Sequence, residues 1–159
     1  MEEVEQSMRI EREILIEAPV EVVWSVVTEP DQMSQWFAEE VHLTAEPGAE
    51  GVFVYRDKSS GTTSTVRLRV EQVRRPELFA FRWVYPDGAE PQPGNSVLVE
   101  FTLHPEGDKT RLRVVESGFD ELDWSDQAKA DYIQDHTSGW RRLFDKLQDH
   151  IAKHQSVRS

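Results

Sequence analysis

Two oppositely charged side chains interrupt rows of apolar residues that alternate as they do in β-strands. Arg12 lies between Ile10 and Ile14, and Glu116 follows Val114 in a similar row. An unpaired charge is costly to bury. We therefore expect one of two arrangements: an ion pair at the polar end of an interior space, able to orient a ligand carboxylate or hydroxyl, or side chains that reach solvent at strand ends.

Other residue types that could do chemistry are sparse. His150 and His154 are one helical turn apart, a spacing that can chelate a metal ion, but no third ligand is evident beside them. The chain has no cysteines, which excludes disulfides, thiolate zinc sites and a cysteine nucleophile. We predict no metal ion and no cofactor, and no catalytic triad can be assigned. The candidates for any proton transfer are Glu116, Arg12, Tyr55 and His136.

The elements that must position these residues begin with a strand and two short helices. Residues Met8 to Glu17 predict the strand, with Arg12 on its apolar side. A helix follows Ala18-Pro19, because proline suits the first helical position and apolar residues recur at helical spacing to Val27. Thr28-Glu29-Pro30 ends it, and residues 31–36 predict one further turn.

From Glu39 to Phe119 the apolar period changes to two, with runs bounded by Gly, Pro, Asp and Ser. This pattern predicts six more antiparallel strands, with a turn over residues 57–61 and a loop from Tyr85 to Gly94. The opposite parities are charged, so we expect one sheet face to be core and the other to meet water. The charged positions on the outer face are Arg67, Arg69, Arg82, Glu100, Arg111 and Arg113.

A long C-terminal helix is predicted from an N-cap at Ser125 to about His154, roughly 45 Å in length. An apolar stripe follows one side of this helix, and the inner sheet face is the only surface large enough to cover it. The stripe consists of Ile133, Thr137, Trp140, Phe144, Leu147 and Ile151. The prediction is an α+β fold in which a curved, seven-stranded antiparallel sheet surrounds the helix.

Composition narrows the class of protein. A chain of 159 residues is typical of one domain, here 1–159 with an ordered core of about 8–154. The formal net charge of -12 repels nucleic-acid phosphates, so we predict no nucleic-acid partner. No apolar run approaches the ~20 residues of a membrane span, and the acidic N-terminus is unlike a signal peptide. We therefore expect a cytoplasmic protein.

The order of several short segments resembles the activator of heat shock protein 90 ATPase homologue-like family. The N-terminal segments that carry the likeness are Ile10-Glu11-Arg12-Glu13-Ile14, Ala18-Pro19, Val23-Trp24, Thr28-Glu29-Pro30 and Trp36-Phe37. The later ones are Arg75-Pro76-Glu77-Leu78, Thr110-Arg111-Leu112, Ser117-Gly118-Phe119 and Gly139-Trp140. The likeness extends from Ile10 to about Ile151. One departure is the family's glycine pair, which is split here as Gly48-Ala49-Glu50-Gly51.

The resemblance implies membership of the START-like superfamily and its helix-grip fold. The eukaryotic chaperone activators of the family have two domains, and this chain resembles only their C-terminal one. Other START-like relatives bind lipids, hormones or polyketides between sheet and helix, and a few use that space as an active site.

Our leading hypothesis is a non-enzymatic module that binds a small apolar or lipid-like molecule between the sheet and the C-terminal helix. A fully packed core is the competing interpretation of the same aromatic stripes. The alternative functions are a co-chaperone that activates a heat shock protein 90 type ATPase, and a cavity enzyme such as a cyclase. The residues predicted to contact a ligand are Arg12, Trp36, Phe53, Tyr55, Leu68, Phe81, Trp83, Val99, Phe101, Val114, Glu116, His136, Trp140 and Phe144.

Overall fold

The fold was obtained as a computed structural model, which describes residues 9–56, 59–84, 96–119, 122 and 124–158. Its strands are β1 (Ile10–Ile16), β2 (Glu40–His42), β3 (Glu50–Arg56), β4 (Thr63–Arg74), β5 (Leu78–Val84), β6 (Ser96–Glu106) and β7 (Lys109–Ser117). Its helices are α1 (Val20–Thr28), α2 (Pro30–Met33) and α3 (Asp126–Arg158). Met8, residues 57–58 and the predicted loop over Tyr85 to Gly94 lie outside the described residues.

The seven strands form one antiparallel sheet in the order β1-β7-β6-β5-β4-β3-β2. Chain neighbours pair from β2 to β7, and β1 closes onto the far side of β7. A register shift between Val70 and Gln72 marks a bulge in the long strand β4, of the kind that bends a sheet. The prediction of a helix-grip α+β fold with two short helices after the first strand is confirmed.

The α3 helix begins where the sequence predicts. The Ser125 hydroxyl accepts a hydrogen bond from the Ala128 backbone N–H at 3.1 Å, which satisfies one of the donors at the helix start. Its apolar stripe is buried from Trp140 onward to Ile151. Thr137, which was predicted to lie in that stripe, is exposed, and its hydroxyl donates to the Ile133 carbonyl at 2.6 Å.

The interior between sheet and helix is packed with aromatic rings. Phe37, just beyond α2, lies at its centre, nearly parallel to Trp83 and Trp140 at centroid distances of 5.7 and 5.8 Å. Phe53 contacts the Phe37 ring edge-on at 4.8 Å. The predicted second helical turn is shorter than expected, because α2 ends at Met33, and the chain beyond it turns both Trp36 and Phe37 inward.

A buried carboxylate behind an aromatic cleft

Glu116 lies on the inward side of β7, between Val99 of β6 and Ile10 of β1 in the sheet register. Strand alternation places it in the same row as Val114, and its side chain is 0% exposed. The carboxylate is therefore held in the apolar interior, where loss of hydration is costly without donors to replace the water.

Three hydrogen-bond donors surround that carboxylate. The indole N–H groups of Trp83 and Trp140 donate to Oε2 and Oε1, each at 2.9 Å, and the Tyr132 hydroxyl donates to Oε2 at 2.5 Å. An indole N–H can only donate, so both oxygens of the Glu116 side chain act as acceptors. Glu116 thus joins β7 to β5 and to two positions of α3 that are about two helical turns apart.

His136 completes the cluster. Its Nδ1 is 3.5 Å from Glu116 Oε1, and its imidazole stacks on the Tyr132 ring with a centroid distance of 3.7 Å. Trp83 meets the imidazole edge-on at 6.0 Å. The nearby carboxylate favours a proton on Nδ1, which fixes the orientation of the ring. The His136 side chain is 20% exposed and is the polar member of the cluster that reaches the surface of the cleft.

Arg12 does not pair with Glu116, so that expectation is wrong within the described residues. The register places Arg12 opposite Val114 and Ile10 opposite Glu116, and Glu116 takes its hydrogen bonds from the two indoles and Tyr132. Arg12 is half-buried, and its Nε atom is buried without a hydrogen-bond partner in the part of the chain that is described. Shared parity gave the correct sheet face but not the partner.

Most residues predicted to line a cavity form the packed core instead. Phe37 fills the centre of that space, and the rings stacked on it, Trp83 and Trp140, are at most 3% exposed. The predicted ligand contacts that belong to this core are Trp36, Phe53, Leu68, Phe81, Val99, Phe101, Val114 and Phe144. Trp36 also donates its indole N–H to the Val26 carbonyl at 2.9 Å, which anchors the segment after α2.

A cleft of about 380 Å³ remains at one side of this core, between α3 and strands β3 to β5. Four of the predicted contact residues meet there: Tyr55, Trp83, His136 and Trp140. The other lining residues are Ser64, Val66, Asp135, Gly139, Arg142 and Leu143. Glu116 lies directly behind the wall that Trp83, His136 and Trp140 form. The same three side chains therefore contact the buried carboxylate on one side and line the cleft on the other.

Tyr132 and Phe37 are the members of this arrangement that the sequence analysis missed. Tyr132 precedes His136 by four residues, which places the two on one helix face, and this spacing was available in the sequence. Phe37 follows a tryptophan in an irregular segment, where periodicity gives no direction for a side chain. Its central position is apparent only once the sheet and α3 are in place.

Metal ligation has no support among the residues that the structure describes, where no group of three or more His, Cys, Asp or Glu side chains is arranged to hold an ion. The side chain of His154 lies outside them, and His150 contacts Gln32 Oε1 through Nε2 at 2.7 Å. None of the described helices has the length and apolar character needed to cross a membrane.

Solved structures share this architecture at low sequence identity. A protein from Mesorhizobium loti is 20% identical, with a TM-score of 0.73 over 92% of this chain and 98% of that one. A protein from Nitrosomonas europaea is 17% identical, with a TM-score of 0.75 over 94% and 97% of the two chains. The Aha1 dimer from Colwellia psychrerythraea is 17% identical, with a TM-score of 0.69 over 89% and 94%.

Sequence comparison assigns the family. No curated protein matches the sequence significantly. Residues 17–152 match the family described as Activator of Hsp90 ATPase homolog 1-like protein, which includes every element from α1 to most of α3. With a match over this much of the chain, and with the helix-grip architecture in place, the protein belongs to the Activator of Hsp90 ATPase homolog 1-like family.

Proposed function

We propose that this protein binds a small, mostly apolar molecule in the cleft between α3 and strands β3 to β5. The observation that carries the proposal is the composition of the cleft wall. Aromatic and aliphatic side chains make up one part of it, and His136, supported from behind by Glu116, is a fixed polar group within it. Ligand sites generally combine an apolar surface with a few positioned polar groups.

The size of the cleft limits the ligand. Its volume of about 380 Å³ is near the lower end of the range of roughly 300–1,000 Å³ for small-molecule sites. The packed rings around Phe37 close off the interior, so the ligand lies beside the core rather than within it. A compact molecule fits this space better than a long lipid chain that would need a deep channel.

The proposal is tested by binding of small apolar molecules of different shape. Ligand-observed NMR with n-octanol and camphor, together with native mass spectrometry of the purified protein, should detect binding. Tyr55→Ala removes one aromatic wall and should weaken binding by about tenfold or more. Leu15→Ala is the matched control, because Leu15 is an exposed apolar residue on β1 and is not part of the cleft. Failure to bind any apolar molecule would refute the proposal.

Chaperone activation is a second candidate, supported by the name of the family and by the likeness to the Aha1 dimer. It is tested by adding the purified protein to the heat shock protein 90 of its own host and measuring the ATPase rate. An unchanged rate over a range of concentrations would refute this candidate and would leave the ligand-binding proposal intact.

A further inference from the structure

Gly139 occupies a position in α3 where glycine is the weaker choice for the helix itself. It lies well inside the helix, where alanine is more stable because glycine loses more backbone freedom on folding. Among the residues that the structure describes, and apart from its chain neighbours and the backbone of its own helix, a methyl group added to Gly139 would have only Arg142 Nη2 within 4 Å, at 4.0 Å. The described part of the protein therefore has room for alanine at this position, and packing against it does not explain the glycine.

The space left by the missing side chain belongs to the cleft. Gly139 lines it next to Trp140, with Tyr55 and Trp83 among the other walls. A glycine here leaves a flat strip of helix backbone open to a bound molecule. Flat walls favour a flat ligand, because aromatic faces stack on such surfaces with close contact over their whole area.

The charges at the cleft constrain the ligand further. Asp135 and Arg142 are exposed lining residues of opposite sign, and the buried Glu116 carboxylate lies behind the wall. This distribution gives no net attraction for an anion. Tyr55, Ser64 and His136 are the uncharged polar side chains of the wall, and with the proton on Nδ1 the Nε2 atom of His136 can accept a hydrogen bond from a ligand hydroxyl.

We propose that the cleft takes an uncharged, flat, fused-ring aromatic molecule that lies against Gly139 with one polar substituent toward His136. This inference rests on the proposed function, since it specifies the ligand class of the same site. In this arrangement Gly139 determines specificity. Glycine is present despite its cost to helix stability because the ligand needs the space that a side chain would fill.

The experiment compares two alcohols that share one carbon skeleton. β-Naphthol is flat and aromatic, whereas decahydro-β-naphthol carries the same hydroxyl on a puckered, saturated frame. Dissociation constants for both are measured by isothermal titration calorimetry at neutral pH, with the wild-type protein, Gly139→Ala and Ser138→Ala. Ser138 is an exposed residue of the same helix turn that does not line the cleft, so its variant controls for the change in helix propensity.

The wild-type protein should bind β-naphthol about tenfold or more tightly than the saturated alcohol. Gly139→Ala should raise the melting temperature of the unliganded protein and weaken β-naphthol binding by about tenfold or more, because the methyl group enters the ligand's space. Ser138→Ala should leave binding unchanged.

Equal affinity for the two alcohols, or wild-type affinity in Gly139→Ala, would overturn the inference. If neither alcohol binds while n-octanol or camphor does, the inference falls and the proposed function stands. If none of these molecules binds, both fall.

Discussion

Glu116 is the residue at which the sheet, the helix and the cleft depend on one another. Its carboxylate replaces lost water with two indole N–H groups and a tyrosine hydroxyl. Apolar residues of similar size can hold a sheet and a helix together at no greater cost, so a buried carboxylate is weak evidence for a role in stability alone. Its carboxylate lies next to His136, which lines the cleft.

Replacement Glu116→Gln should lower the free energy of unfolding by about 1–3 kcal/mol. The new amide group presents donors where the carboxylate accepted hydrogen bonds, so at least one indole or hydroxyl donor is left without an acceptor. Urea denaturation measures the change. Glu100→Gln is the control, since Glu100 lies half-buried in β6 at an outward-facing position, and it should change stability by no more than about 0.5 kcal/mol. Equal effects of the two variants would contradict the hydrogen bonding assigned to the Glu116 carboxylate.

The sequence was sufficient to identify Glu116 but not its partners. Alternation within a strand gives the face on which a residue lies, and this reasoning correctly placed Glu116 inside. Pairing it with Arg12 failed because parity carries no information about the position of α3 across the sheet. Tyr132 and Trp140 belong to that helix, and the way in which the helix crosses the strands brings their donors to Oε2 and Oε1.

At the scale of elements, the outer sheet face is a lattice of exposed ion pairs. Arg111 on β7 donates two hydrogen bonds to Glu106, at 2.6 and 3.2 Å, and a third to Glu13 on β1 at 3.3 Å. The hydrogen bonds from Arg111 lower the pKa of Glu106 below its ordinary value of 4.5. Exposed pairs of this kind contribute little to folding, and they keep this face soluble.

Replacement Arg111→Gln should raise the pKa of Glu106 toward 4.5, as followed by NMR titration of its side-chain carboxyl carbon. Because the folded-state pKa is depressed, the contact stabilises the fold above the unfolded-state pKa and loses that effect as pH falls through the folded-state value. The small stability difference between wild type and variant should therefore vanish on acidification. Arg113→Gln removes a contact to Glu11 instead and should leave the pKa of Glu106 unchanged.

Strands and helices were predictable where one period held over several turns or pleats. Alternation predicted the strands from β2 to β7, and the Ser125 cap marked the start of α3. Prediction was less accurate within the α3 stripe. Thr137 satisfies the helical period but is exposed, whereas its neighbours Tyr132 and His136 contact Glu116 in the sheet.

For the molecule as a whole, the main question raised by the sequence was whether the space between the sheet and α3 is an open cavity or a packed core. The structure has a packed aromatic centre around Phe37 and a cleft beside it. Composition alone could not separate these outcomes, because the same stripes of Phe and Trp occur in proteins with a lined cavity and in proteins with a packed core. The residue that decides between them here, Phe37, lies in a segment without periodicity.

Replacement Phe37→Ala should lower the free energy of unfolding by about 3–5 kcal/mol, since it removes a buried ring from among Phe53, Trp83 and Trp140. Chemical denaturation provides the measurement. Phe37→Leu retains most of the volume and should be clearly less destabilising. If alanine at this position were tolerated without loss, the centre would not depend on this ring, and a ligand-sized interior space would again be a viable description of the fold.

The pairing of β1 with β7 has a consequence for biosynthesis. β1 is translated about a hundred residues before its partner β7. At roughly 5–20 residues per second, the nascent chain carries an unpaired β1 for on the order of 5–20 s. The charges of Glu11 and Glu13 within this strand, and of Arg9 directly before it, oppose pairing with other chains during that interval. β1 is an edge strand of the folded sheet, and the charges that protect this edge are already present on the chain before β1 pairs with β7.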